Sequence, residues 1–328
     1  MTGNKRVLSG MRPTGPLHLG NLHGALLNWV NMQEQYDCFF FIADWHALTS
    51  DYEDTGHISN YVRKLLIDWL SAGLLPEKST LFIQSHIKEH AELFLILSMI
   101  TPVPWLERNP TYKDQILQLD NKDLSTFGFL GYPVLQAADI IMYKAYGVPV
   151  GVDQVPHVEI TREIARRFNY LYGEVFPEPE SILTQTPKIL GIDGRKMSKS
   201  YDNAIFLSDS PDDIAAKVAK MITDPQRARK NDPGNPDICN VYDFHKLYSD
   251  DQTIQRINRE CRSADIGCVE CKRIMAEYLI NFLEPMRQKR HYYESRPDMV
   301  DDIITDGCEK ARKVARQTMT EVREAIKI

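Results

Sequence analysis

The architecture of this chain follows from its first apolar run, Arg6-Val7-Leu8-Ser9-Gly10, and from what comes next. The turn-rich run Arg12-Pro13-Thr14-Gly15-Pro16 follows this strand pattern, and a helix pattern opens at His18-Leu19-Gly20-Asn21. A helix that begins directly after a strand and a turn presents free backbone N–H groups, which bind anions. The side chains of His18 and Asn21 can add hydrogen bonds to a phosphate. The sequence therefore predicts a phosphate site, although a lone histidine near a helix start is more typical of a cap.

Strand and helix patterns alternate over the first 200 residues. Apolar runs at 38–44, 80–84 and 148–150 predict buried strands, and helical periodicity occupies 58–72, 89–100, 133–146 and 155–168. This order is typical of an α/β fold with a Rossmann-like parallel sheet, in which ligands bind at the carboxyl ends of the strands. Residues 101–130, which contain Pro102, Pro104 and Pro110, interrupt the alternation and are predicted to form an insertion.

Beyond residue 200 the pattern is almost entirely helical, at 211–223, 251–259, 271–286 and 300–328. This shift predicts a domain boundary near residue 200 and an all-α second domain, and a length of 328 residues agrees with about two domains. A net charge of −6 excludes little, since basic residues can cluster on one face. No apolar run reaches the roughly 18–20 residues of a membrane span, and the N-terminal residues lack a secretory pattern, so we expect a cytoplasmic protein without membrane contact.

A second phosphate motif follows a glycine-containing loop. Gly191-Ile192-Asp193-Gly194-Arg195 precedes Lys196-Met197-Ser198-Lys199-Ser200, which holds two lysines three residues apart. Ammonium groups on a mobile loop can follow the charge that develops on pyrophosphate, and such interactions raise turnover. A lysine-rich pentapeptide alone is typical of a solvated loop. Together with the first motif, however, it predicts binding of a triphosphate.

Four of the six cysteines fall close together in the helical half, at Cys239, Cys261, Cys268 and Cys271. Four thiolates suit a tetrahedral zinc ion or a [4Fe–4S] cluster, and their spacing does not choose between the two. Cys268 and Cys271 lie where a helix is predicted to begin, which favours thiolates. Unmetallated thiols are the third alternative.

The two phosphate motifs resemble the paired signatures of class I aminoacyl-tRNA synthetases, and three further segments resemble the tryptophanyl members. These segments are Phe41-Ile42-Ala43-Asp44-Trp45-His46-Ala47, Tyr132-Pro133-x-x-Gln136-Ala137-Ala138-Asp139-Ile140 and Val148-Pro149-Val150-Gly151-x-Asp153-Gln154-x-x-His157-x-Glu159. The resemblance covers essentially the whole chain. It implies that L-tryptophan is activated with Mg²⁺-ATP and then transferred to tRNA(Trp).

The resemblance also implies roles for individual residues. His18, Asn21, Lys196 and Lys199 are expected to act in catalysis. ATP is expected to contact Arg12, Pro13, Thr14, Gly20, Asn21, Gly151, Val152, Asp153, Ile189, Lys196, Met197, Ser198, Lys199 and Ser200. Tryptophan is expected to contact Asp139, Tyr132, Gln136, Gln154 and His46, with Asp139 accepting the indole N–H. Many relatives have glutamine in place of Arg12 and an acidic residue in place of Val152.

The domain organisation implied by the resemblance is a catalytic domain over 1–200, with the insertion at 101–130, and a helical anticodon-binding domain over 201–299. The helix at 300–328 is expected to pack back on the catalytic domain. A similar cysteine spacing occurs in a subset of the family that binds a [4Fe–4S] cluster near the anticodon-binding region, which favours this cluster over Zn²⁺. Family members are homodimers, and we expect the same here.

Three other interpretations compete with this one. A tyrosyl-tRNA synthetase shares the fold and the chemistry, but the Asp139 helix and the Trp45-His46 turn favour tryptophan. A nucleotidyltransferase with a related histidine loop would not need the helical domain. A catalytically silent RNA-binding iron–sulfur paralogue would not need both halves of the phosphate site.

Overall fold

The computed structural model describes residues 5–109, 125–183, 189–229 and 231–328. Residues 110–124, which make up half of the predicted insertion, lie outside the described residues. None of the helices in the described stretches is long and apolar enough to cross a membrane.

The strands and longer helices follow one another in chain order. They are β1 (Arg6–Met11), α1 (Leu19–Asn21), α2 (Leu27–Met32), β2 (Asp37–Ile42), α3 (Asp44–Asp51), α4 (Ile58–Ala72), β3 (Ser79–Ile83), α5 (Glu89–Ser98), α6 (Val103–Glu107), α7 (Phe127–Met142), β4 (Gly147–Val150), α8 (Val155–Tyr172), β5 (Glu180–Leu183), α9 (Pro211–Lys220), α10 (Asn240–Tyr248), α11 (Asp251–Arg262), α12 (Cys268–Glu294) and α13 (Pro297–Ile326). A π-helical stretch, Leu22–Leu26, joins α1 to α2, and short 3₁₀ turns follow β3 and β4.

The chain forms two compact units, and the first consists of Met1–Gly15, Asn28–Thr186 and Arg296–Ile328. Its five strands form one parallel sheet in the order β3-β2-β1-β4-β5, which confirms the predicted α/β fold. The continuous apolar sequence of β2 agrees with a strand covered on both faces. Gly10 on β1 gives room to the neighbouring strand, because a Cβ atom there would lie 2.5 Å from the ring of Phe41.

Helix α13 covers β3 in the first unit. A Cβ atom on Gly307 would lie 1.7 Å from the carbonyl oxygen of Leu81, so glycine alone lets the helix approach the strand backbone. The ion pair between Arg323 and Glu92 joins α13 to α5, and the pair between Lys144 and Glu321 joins it to the residues after α7. Apolar burial and these charges together hold α13 on the sheet.

The second unit consists of Pro16–Leu27 and Pro187–Ser295. Its helices bury an apolar core that includes Ile214, Val218, Phe244, Leu279 and Leu283. Residues 16–27 and 187–200, which the sequence assigns to the first domain, group with the helices of the second unit. Backbone hydrogen bonds explain the first assignment, since Leu19 N donates to Ile205 O and Leu207 N donates to Leu17 O.

Several elements differ from the predicted ones. The helix predicted from Pro133 begins earlier, at Phe127, because the side chain of Thr126 accepts a hydrogen bond from Phe129 N and caps it. Strand β5 and helices α3 and α10 were not predicted. The predicted helix start at Cys271 lies three residues inside α12, which begins at Cys268.

Candidate functional site

The first phosphate motif lies in the second unit, at the start of α1. His18 N donates to Asn21 Oδ1 at 3.1 Å, so the asparagine side chain fixes the entry to the helix. Nδ1 of His18 is buried and has no hydrogen-bond partner among the described residues. A Cβ atom on Gly20 would lie 2.9 Å from the His18 ring, so glycine leaves room for the imidazole. A buried nitrogen of this kind is suited to a ligand that brings its own hydrogen-bonding oxygen.

The second motif supplies a charge close to this histidine. Burial, and secondarily the ammonium group of Lys199, lowers the pKa of His18 to about 4. The imidazole is therefore neutral at pH 7 and donates from only one nitrogen. The structure thus brings His18 and Lys199, one from each predicted motif, close enough for the lysine charge to act on the histidine ring.

A buried asparagine that the sequence analysis missed holds the lysine loop. Asn203 is 1% exposed, and its Nδ2 donates to Asp193 Oδ1 at 2.8 Å and to Lys196 O at 3.1 Å. Its Oδ1 accepts from Ser198 N at 2.8 Å. A Cβ atom on Gly191 would lie 2.3 Å from the Asn203 amide, so the glycine makes space for this side chain. These bonds fix the backbone on both sides of Met197.

The remaining predicted loop residues differ in exposure. Met197 and Ile189 are buried, and Met197 N donates to Ile189 O at 3.3 Å, so these two residues anchor the loop. Ser198 is half-buried and caps the 3₁₀ turn at Lys199–Tyr201 by accepting a hydrogen bond from Ser200 N.

The other predicted nucleotide contacts lie in the first unit. Arg12 follows β1, donates to Ser50 Oγ and lies 3.7 Å from Asp51 Oδ2, and its burial lowers the pKa of its guanidinium. Pro13 is buried, and Thr14 N donates to Arg12 O at 2.9 Å. The guanidinium is thus held by the end of α3.

Gly151, Val152 and Asp153 follow the carboxyl end of β4, where a parallel sheet binds ligands. Val152 is 76% exposed. A Cβ atom on Gly151 would lie 2.8 Å from Asp153 Oδ1, so the glycine leaves room for this carboxylate. Gln154 Nε2 donates to Asp153 Oδ2 at 2.9 Å, so both side chains lie on the same turn.

A buried carboxylate lies on α7 in the first unit. Asp139 is 0% exposed and is bonded to His46 Nε2 at 2.7 Å, His90 Nδ1 at 2.6 Å and Gln84 Nε2 at 2.8 Å. Burial alone raises the pKa of Asp139, but the hydrogen bonds from His46 and His90 outweigh it and lower the pKa. The carboxylate is therefore ionised and accepts hydrogen bonds only. The sequence pattern did not predict three residues around this carboxylate: Gln84, His90 and Tyr143, whose hydroxyl bonds His90. They meet only in the folded chain, and hydrophobic periodicity carries no information about such contacts.

Tyr132, another predicted tryptophan contact, bonds a buried histidine. Tyr132 Oη is 3.3 Å from His157 Nε2, and Asn109 Nδ2 is 3.2 Å from His157 Nδ1. Burial, and secondarily the charge of His46, lowers the pKa of His157 to about 4. Gln136 is half-buried one helical turn before Asp139. Hydrogen bonds thus link Tyr132 to His157 and His46 to Asp139, and among the described residues none links Gln136 or Gln154 to either pair.

The four cysteines share one part of the second unit. Burial, followed by the charges of the other three thiols, raises the pKa of Cys271 to about 12. Arg227 Nη1 lies 4.0 Å from Cys261 Sγ and 3.9 Å from Cys268 Sγ. All six cysteines are free. Over the described ranges, however, no three His, Cys, Asp or Glu side chains form a group that could hold a metal ion, so the structure does not support the predicted metal site.

Comparison with known proteins places this geometry in a family. The family of class I tRNA synthetases (W and Y) matches residues 1–284. A tryptophan–tRNA ligase of Thermotoga maritima is 53% identical over 98% of this chain and 99% of the relative, and one of Aquifex aeolicus is 47% identical over 98% and 100%. The solved tryptophanyl-tRNA synthetase of Campylobacter jejuni, complexed with ADP and tryptophan, is 35% identical over 98% of this chain and 100% of that one, with a TM-score of 0.91. The chain therefore belongs to the class I tRNA synthetases and, among them, to the tryptophan–tRNA ligases.

Proposed function

We propose that this chain joins L-tryptophan to tRNA(Trp) in two steps and so serves protein biosynthesis. In the first step the tryptophan carboxylate attacks the α-phosphorus of Mg²⁺-ATP, which yields tryptophanyl-adenylate and pyrophosphate. In the second step a hydroxyl of the 3′-terminal ribose of tRNA attacks the adenylate carbonyl, and AMP leaves. The observation that carries the proposal is the buried, ionised Asp139, because a buried carboxylate accepts hydrogen bonds only and therefore favours a ligand that brings a donor.

The residues of the second unit are proposed to stabilise the phosphates. His18 brings a neutral imidazole whose Nδ1 has no partner in the described part of the chain, and Asn21 lies at the same helix start. Lys196 and Lys199 supply positive charge as pyrophosphate departs, which lowers the barrier if these contacts strengthen in the transition state. Gly20, Ile189, Met197, Ser198 and Ser200 complete the proposed ATP contacts of this unit.

The first unit is proposed to contribute the remaining contacts. Arg12, Pro13, Thr14, Gly151, Val152 and Asp153 are proposed to bind ATP. Tryptophan is proposed to contact Asp139, Tyr132, Gln136, Gln154 and His46, with its indole N–H donated to Asp139. Phenylalanine lacks this donor and cannot replace a hydrogen bond that it displaces from the carboxylate. A site built in this way discriminates by up to about 10⁴–10⁵ without editing.

We also propose a [4Fe–4S] cluster on Cys239, Cys261, Cys268 and Cys271, with Zn²⁺ as the alternative. Four thiols are the ligand set of such a cluster, and the electrostatic interaction of Cys271 with the other three supports a common neighbourhood. Arg227 lies beside two of the thiols, and its charge lowers the pKa of Cys261 against the larger effect of burial, which raises it. Bound there, the cluster would tie residues 239–271 together within the proposed anticodon-binding domain over 201–299. Anaerobic purification with iron, sulfide and zinc assays tests this proposal.

A homodimer is proposed for the first unit. Four apolar side chains near the predicted insertion are exposed on the isolated chain: Leu95, Met99, Val103 and Phe127. They lie at the end of α5, on α6 and at the start of α7, and apolar patches of this kind mark contact surfaces. We place the protein in the cytoplasm, where its tRNA is found and where free thiols are ordinary.

The experiment that tests the activity is exchange of labelled pyrophosphate into ATP. We expect exchange with tryptophan, little with tyrosine, and a loss of this preference in Asp139→Asn. Exchange with tyrosine alone would favour a tyrosyl enzyme. Binding of tRNA without exchange for any amino acid would favour a silent RNA-binding protein.

A further inference from the structure

We propose that Gln84 and the pair His90–Tyr143 are positioning residues that hold the Asp139 carboxylate from behind, and that His46 occupies the place that the indole N–H takes. The inference rests on the proposed selection of tryptophan by Asp139. Three residues, Gln84, His90 and Tyr143, thus act on the site without touching the substrate. The bond between His46 and Asp139 is the one that the indole N–H replaces.

The carboxylate of Asp139 has its hydrogen-bonding capacity filled. Oδ1 is bonded to His90 Nδ1 at 2.6 Å and to Gln84 Nε2 at 2.8 Å. Oδ2 is bonded to His46 Nε2 at 2.7 Å and to Gln84 Nε2 at 2.9 Å. Two carboxylate oxygens offer about four acceptor positions, so a new donor must replace one of those present.

The burial and packing of the three donors indicate which of them gives up its bond to Asp139 when tryptophan binds. His90 and Gln84 are fully buried, whereas His46 is 9% exposed. The His90 ring packs against Phe82 and Tyr143, with ring centroids 6.2 and 5.4 Å apart. His46 lies on α3 and is the one of the three donors that is not fully buried. The indole N–H therefore replaces His46 and leaves the other two donors in place.

The two nitrogens of the His90 ring bond different partners, Asp139 and Tyr143. His90 Nε2 is 2.7 Å from Tyr143 Oη. Burial, and secondarily the charge of Asp139, raises the pKa of Tyr143 well above its usual value, so the hydroxyl keeps its proton. Because the ionised carboxylate of Asp139 only accepts hydrogen bonds, Nδ1 of His90 carries a proton and donates it to Asp139. The chain Tyr143–His90–Asp139 keeps both the orientation and the charge of the acceptor.

The test compares tryptophan with β-(3-benzothienyl)alanine, in which sulfur replaces the indole N–H and the shape is nearly kept. The kcat/KM of pyrophosphate exchange is measured for both amino acids. We expect Gln84→Met and His90→Phe to lower the preference for tryptophan by about tenfold or more, and Tyr143→Phe to lower it less. His90→Asn keeps a donor near the Nδ1 position and should restore most of the preference.

Gln33→Met is the matched control. Gln33 is also a buried glutamine, and it bonds Gly73 O at 2.9 Å and Leu75 N at 3.0 Å, close to the beginning of β3 rather than its end. Its loss should lower stability and leave the preference unchanged. Folded Gln84 and His90 variants with an unchanged preference would overturn the inference while the proposed function stands. A wild-type enzyme without tryptophan-dependent exchange would overturn both.

Nuclear magnetic resonance of the ¹⁵N-histidine-labelled wild-type chain supplies a second readout that needs no variant. Saturating tryptophan should move the Nε2 signal of His46 and leave the Nδ1 signal of His90 hydrogen-bonded. Loss of the His90 bond with retention of the His46 bond would refute the assignment.

Discussion

Replacing Asn203 by alanine should disable the lysine loop with little effect on tryptophan binding. The change removes three hydrogen bonds of a side chain that is 1% exposed, namely those with Asp193, Lys196 O and Ser198 N. At a net 0.5–1.5 kcal/mol each, the loss is about 1.5–4.5 kcal/mol. If the loop must be ordered for pyrophosphate to leave, kcat falls by roughly 10- to 2000-fold.

The assay is tryptophan-dependent pyrophosphate exchange, with kcat and the KM for tryptophan determined separately. We expect kcat to fall as calculated and the KM for tryptophan to stay within about twofold of the wild-type value. The reason is that the groups proposed to bind tryptophan lie in the first unit, whereas Asn203 lies in the second. Asn203→Asp should also fail, since it places a second carboxylate oxygen opposite Asp193 Oδ1 and Lys196 O.

Asn169→Ala is the matched control for this experiment. Asn169 also makes three hydrogen bonds, donating to Phe176 O at 2.8 Å and accepting from Val175 N and Phe176 N at 3.0 Å. Its removal should lower the free energy of unfolding without lowering kcat. A kcat near wild type in Asn203→Ala, with the same loss of stability as the control, would show that catalysis does not depend on the order that Asn203 gives the lysine loop.

Three other predictions follow from the site and the surface. Lys199→Met should lower the rate of pyrophosphate exchange by at least about 100-fold. It should also raise the pKa of His18, which stays below 6.5 because burial is the larger cause of its shift. Titration of the His18 ring by NMR checks this, and a fall in that pKa would contradict it. The folded-state pKa values of about 4 for His18 and His157 lie below their unfolded values, so the unfolded chain binds more protons below pH 6.5. The contribution of these histidines to the free energy of unfolding should therefore be greatest above pH 6.5 and decrease towards pH 4, by up to about 3 kcal/mol per histidine. Urea titrations at several pH values check this, and a free energy of unfolding that does not change with pH would contradict it. Phe127→Asp together with Met99→Asp places charge on side chains that are 69% and 74% exposed; sedimentation should show a monomer, and an intact dimer would place the interface elsewhere.

The parallel sheet could be predicted because its central strands are continuous apolar runs. Helix α4 has the predicted bounds, Ile58–Ala72, since its apolar period is uninterrupted. Strand β5 could not be predicted, because Glu180–Leu183 lies at the sheet edge and is partly exposed. The π-helical stretch Leu22–Leu26 has the same apolar spacing as an α-helix and left no separate signal.

The candidate site was predictable where its chemistry lies in short motifs and not where it depends on contacts between elements. His18 and Lys199 each belong to a recognisable motif, and the structure brings them into electrostatic contact. Two partners of Asp139 lie on the turn after β3 and on α5, and no local sequence pattern predicts that Gln84 and His90 contact the same carboxylate. Asn203 was missed for the same reason.

The close approach of Gly307 to Leu81 has a consequence for how the protein is made. Strand β3 leaves the ribosome long before α13, and the whole of Pro187–Ser295 is synthesised between them. During that interval the face of β3 that α13 will cover has no such cover, and neither compact unit is continuous along the nascent chain. A translation product that stops before Pro297 should therefore expose the strand, bind chaperones and be degraded, whereas synthesis of α13 supplies the missing cover.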